Sequence, residues 1–75
     1  MSSLPSVTGR EAVAAFSKLG FTVARVRGSH YVMKKPGHRT SVVVPVHGNE
    51  TLPPGTLRSL IRDAETTVEQ FNDLR

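Results

Sequence analysis

The sequence predicts an α+β fold, a three-stranded antiparallel sheet with helices on one face in the order α-β-β-β-α, with a possible short extra helix at the C-terminal end. Three observations carry this. Apolar residues recur at helical spacing near both ends of the chain. The middle is β-branched and lacks that period. Gly20, Gly28, Pro36-Gly37 and Pro45 cut the middle into three short segments that only tight turns can join.

Residues 1 to 6 precede any periodic pattern and read as a flexible lead into a single domain spanning 1 to 75. The first helix starts at Thr8-Gly9-Arg10-Glu11, a capping box in which Thr8 accepts from the Glu11 amide and Glu11 reaches back to the Thr8 amide. Ala12, Phe16 and Leu19 follow at i, i+4 and i+7, so the helix covers about residues 9 to 19. Gly20 supplies a left-handed cap, and Phe21 beyond it is placed to touch Phe16.

Phe21 to Val26 reads as the first strand and Gly28-Ser29 as a turn. His30 opens a second strand through Tyr31-Val32-Met33, and Lys35-Pro36-Gly37-His38 is a reverse turn, since proline presets φ and glycine permits its positive value. Thr40 to Val44 is the third strand, ended by Pro45. After a polar loop, Pro54 stands at a first helical position, where its missing N–H costs nothing. Leu57, Leu60, Ile61 and Ala64 then define a helix from about Pro54 to Ala64. A second capping pattern, Thr67 with Gln70, introduces Val68, Phe71 and Leu74 as the last short helix.

At 75 residues the chain makes one small core, burying about 60 % of the surface its unfolded form exposes. Four aromatic residues and 37 % hydrophobic content leave no material for a large enclosed pocket, so any substrate is expected on a surface. With no cysteine, neither disulfides nor thiolate metal sites contribute, and a cytoplasmic setting is favoured. Met1 to Pro5 does not resemble a signal peptide, and the longest apolar run, Val42-Val43-Val44, is far too short for a membrane helix.

Net charge is +4 and is unevenly spread. Residues 20 to 47 hold Arg25, Arg27, Lys34, Lys35 and Arg39 with no acid, whereas residues 48 to 75 are net negative. A basic sheet is the footprint of a phosphate-backbone binder, although a merely soluble surface has the same composition. His30 sits inside this basic stretch at the start of a strand, a reasonable address for acid-base chemistry on a polyanion. On spacing alone, an exposed or hydrogen-bonded structural histidine is the more common occupant of such a position. His38 and His47 fall on a turn and a loop without cysteine or paired carboxylates, so zinc spacing is absent and neither a metal nor another cofactor is expected.

The residues resemble a known family along nearly the whole chain. Leu4-Pro5 followed by Gly9-Arg10-Glu11, Leu19-Gly20-Phe21, Arg25 before Gly28-Ser29-His30, Lys35-Pro36, Val44-Pro45-Val46-His47 and Pro54-Gly55-Thr56-Leu57-Arg58-Ser59-Leu60-Ile61-Arg62 are similar to the HicA-type toxins of bacterial toxin-antitoxin pairs, small ribonucleases that cleave messenger RNA. The resemblance implies a double-stranded-RNA-binding-domain-like fold, metal-independent endoribonuclease activity and a HicB-type antitoxin partner. It also implies that His30 is the catalytic residue. One departure is Glu65, where similar chains commonly place glycine after Asp-Ala.

Metal-free RNA cleavage needs a base, an acid and positive charge near the phosphorus, and His30 suits either proton role. Gly28 and Ser29 let backbone approach a phosphate, with the Ser29 hydroxyl or a turn amide as donor. Arg25, Lys34 and Lys35 are the favoured RNA contacts; Arg27 and Arg39 are secondary candidates, and His47 is either a second catalytic or substrate-contacting residue or a loop histidine without a role. Alternation puts Lys34 on the His30 face and Lys35 on the other, so not all five cations share one groove. Because Phe21 and Val23 share parity with Arg25, the register of the first strand stays open. Arg58 and Arg62, four apart, suit RNA or an acidic antitoxin. The rival reading is a non-catalytic module that holds RNA by shape.

Overall fold

A computed structural model of the chain describes residues 3–75. Its elements are α1 (Gly9–Lys18), β1 (Thr22–Arg27), β2 (His30–Lys34), β3 (Val42–Pro45), α2 (Pro54–Asp63) and α3 (Val68–Leu74). The strands form one antiparallel sheet in the order β1-β2-β3. This is an α+β fold of the double-stranded-RNA-binding-domain type with an added C-terminal helix.

Local chemistry sets the helix ends. Thr8 and Glu11 exchange both capping bonds, at 3.2 and 2.8 Å, and Thr67 with Gln70 repeats the device at α3. At the end of α1, Gly20 adopts φ +101° while the Phe21 and Gly20 amides donate to Phe16 and Ser17 carbonyls. That Schellman cap turns the chain into β1 and leaves Phe21 edge-on to Phe16, 6.3 Å between centroids. Phe71 meets the other side of Phe16 at 5.3 Å, so one ring joins α1, the sheet entrance and α3. Val7, Met33, Val42, Val44 and Leu57 are fully buried beside them.

Residues 1 and 2 of the expected flexible lead lie outside the described residues; beyond them, Leu4 packs against the core and the Ser3 carbonyl accepts from Asn72 Nδ2. β3 starts at Val42, two residues later than expected. Thr40 and Ser41 belong instead to the connection after the Lys35–His38 turn, which closes through the His38 amide to the Lys35 carbonyl. His38 anchors that connection by a 2.7 Å bond from Nε2 to the Asp63 carbonyl at the end of α2. Pro45 sits inside the ladder opposite His30 rather than beyond it. β3 is an edge strand, where a residue without an N–H is tolerated.

Candidate active site

The register left open by parity is decided by a β-bulge. Val23 lies opposite Met33, whereas Arg25 lies opposite Val32, so the extra residue Ala24 moves the chain from one face to the other between two positions of equal parity. Val23 and Val26 consequently face the helix side with Met33 and Tyr31. Arg25 and Arg27 face outward with Val32 and His30. Without the bulge, Val23 and Arg25 would compete for one face.

Outward-facing residues from all three strands, with Ser41 just ahead of β3, then make a shallow groove lined by Arg25, Arg27, His30, Val32, Ser41 and Val43. None of them is acidic. Val32, although buried, belongs to this side and not to the main core; with Val43, its partner across the ladder and 41 % exposed, it forms an apolar floor. Arg27 is directly opposite His30 on β1, and Pro45 is opposite it on β3. His30 thus stands exposed at the turn end of the groove, with a guanidinium on one flank.

A turn conformation and a short hydrogen bond hold that end. Gly28, with φ +60°, is the first central residue of a two-residue hairpin loop, a position that favours glycine in a type II′ turn. Ser29, half-buried, offers its carbonyl to the Val46 amide at 2.7 Å, tying the turn to the segment leaving β3. A histidine at the first residue of a strand, next to a turn bonded on both sides, has little backbone freedom.

The other expected residues divide. Lys34, opposite Thr22, shares the His30 face by alternation, four residues along the strand and about 13 Å away. Lys35 is set apart: its Nζ lies 5.4 Å over the Phe21 ring and its stem runs past Gly20, on the helix side. That placement agrees with its parity and separates it from the groove. Arg39 is exposed in the connection beside Ser41. His47, also exposed, lines a neighbouring hollow with Pro45, Glu50 and Thr56. Among the described residues, no three histidine, aspartate or glutamate side chains converge as a metal would require.

Ser41, Val32 and Val43 were not anticipated as site residues. The signal was present at β3, where core positions Val42 and Val44 turn Val43, and Ser41 just ahead of the strand, outward.

Fold and site together define a small α+β protein of the double-stranded-RNA-binding-domain type whose open sheet face presents a histidine beside two arginines. A family model described as "HicA toxin of bacterial toxin-antitoxin" matches residues 9–66, more than half of the chain. The chain belongs to that family of toxin-antitoxin proteins. No curated protein matches it. Family membership implies an antitoxin partner. No helix among the described residues is long and apolar enough to cross a membrane.

Proposed function

We propose that this chain is the toxin of a toxin-antitoxin pair and acts as a metal-independent endoribonuclease on messenger RNA in the cytoplasm, with His30 as general acid or base. The observation that carries the reading is the joint placement of His30, Arg25 and Arg27 in one acid-free groove on the open sheet face. Histidine exchanges protons near neutral pH, and the two guanidiniums supply fixed positive charge where a pentavalent phosphorus concentrates negative charge. Arg25 and Lys34 hold the RNA backbone on either side, and the Gly28-Ser29 turn keeps the approach to the phosphate open.

A HicB-type antitoxin would silence the protein by covering this face, and the uncompensated cations favour an acidic patch on it. The test is cleavage of RNA by the purified full chain, followed on gels. His30→Ala is expected to lower the rate by about 10²- to 10⁴-fold. Cleavage is expected to continue in the presence of a chelator. A His30→Ala protein that cuts as fast as the native one would sink the assignment and leave the rival reading, an RNA-holding module of the same fold.

A further inference from the structure

Cleavage through a 2′-hydroxyl needs two proton transfers, and the groove lining provides one imidazole, that of His30, to carry them. His38 is not available as the second. Its Nε2 is bonded to the Asp63 carbonyl, and its ring is edge-on to Phe21 at 5.0 Å, over the helix side of the sheet.

His47 stands differently. The β2–β3 ladder pairs His30 with Pro45, and the Val46 amide to Ser29 carbonyl bond carries the same register one residue further. Val44 and Val46 are both buried in the core, so side-chain alternation persists one residue beyond the end of β3. Pro45 and His47 therefore share the outward side, and they line one hollow. His47 is in consequence the diagonal neighbour of His30, a relation that places Cα atoms about 7–8 Å apart in an antiparallel pair. Two imidazoles on stems from those positions can face one phosphate from two sides. The charged groups around the pair are Arg25 and Arg27 on the β1 side and Glu50 in the His47 hollow.

We propose that His47 is the second proton-transfer group of the site, completing an acid-base pair with His30. The inference rests on the ribonuclease reading given above. In the step, one histidine takes the 2′-hydroxyl proton as the 2′-oxygen bonds to phosphorus. The other protonates the 5′-oxygen as the phosphorus–5′-oxygen bond breaks. The products are a 2′,3′-cyclic phosphate and a 5′-hydroxyl end, with no co-reactant.

Single-turnover cleavage of a short RNA by the full chain, measured across the neutral pH range, tests the pair. The native protein should give a bell-shaped profile. His47→Gln should lower the rate by about 10²- to 10⁴-fold with RNA affinity retained and should lose one limb of the bell, while His30→Gln loses the other. Both side chains are exposed, so circular dichroism should report a native fold in each variant. A His47→Gln protein with native rate and an intact bell, or with only a raised KM, overturns the pairing while leaving His30 in place. Absence of cleavage by the native chain, or full activity in His30→Gln, instead removes the ribonuclease reading and the pairing with it.

Discussion

His30 and His38 are eight positions apart on one hairpin, yet their surroundings are opposite. His30 is exposed among cations, whereas His38 is half-buried, spending Nε2–H on a helix-end carbonyl and its ring on Phe21. That carbonyl has no partner within the helix, so the imidazole satisfies a group that would otherwise face outward unpaired. His38→Ala should destabilise the fold by about 1–3 kcal/mol, through the lost bond and the lost aromatic contact, with RNA cleavage unaffected. Urea denaturation alongside an activity assay checks both halves. Glu65 carries a different residue-scale cost. It holds φ +56° in a complete Schellman cap, its amide bonded to Arg62 at 2.9 Å and that of Thr66 to Ile61 at 3.1 Å. Replacing it with glycine is expected to raise stability by about 0.5–1 kcal/mol. Glu65→Ala is the control, because it removes the charge and keeps the strain; an equal gain in thermal midpoint from alanine would refute the conformational explanation.

Between elements, the decisive approach is that of α1 to the end of β3. A Cβ on Gly9 would lie 2.2 Å from the Pro45 carbonyl oxygen and 2.9 Å from Val46 Cα, so only glycine lets the helix start reach the backbone that carries the His47 segment. Gly9→Ala should cost about 1–3 kcal/mol by forcing the two apart, despite alanine's better helix propensity. A midpoint in denaturant equal to the native one would show that the contact is slack. This close packing was not legible in the sequence, where Gly9 reads as one residue of a capping box. The boxes themselves were legible, at Thr8 with Glu11 and Thr67 with Gln70, because each closes within three residues. So was the Gly20 cap with its Phe16–Phe21 contact. The Ala24 bulge and the His38–Asp63 bond were not, since each depends on pairing with a strand or helix distant in the chain. The site divides in the same way: the histidine, the turn and the arginines were visible as local motifs, but which cations share a face waited on the bulge.

Across the whole molecule, charge is sorted by face as well as by segment. Arg25, Arg27 and Lys34 project from the open side of the sheet, while Lys35, from the same basic run, lies over Phe21 on the side of the helices. If the open side grips RNA backbone, the two classes of lysine must respond differently to salt. Each phosphate contact to single-stranded RNA contributes about −0.7 to the slope of log affinity against log salt, so three contacts give about −2. Binding is best measured with the His30→Ala chain, so that the RNA stays whole. Arg25→Gln and Lys34→Gln are each expected to make the slope shallower by about 0.7, whereas Lys35→Gln should leave it where it was. The comparison is sharp because Lys34 and Lys35 are adjacent and of one kind, so net charge changes identically and only the face differs. Equal effects from the two lysines would mean that RNA senses overall charge and not the sheet surface, and the groove would then lose its claim to be the binding face.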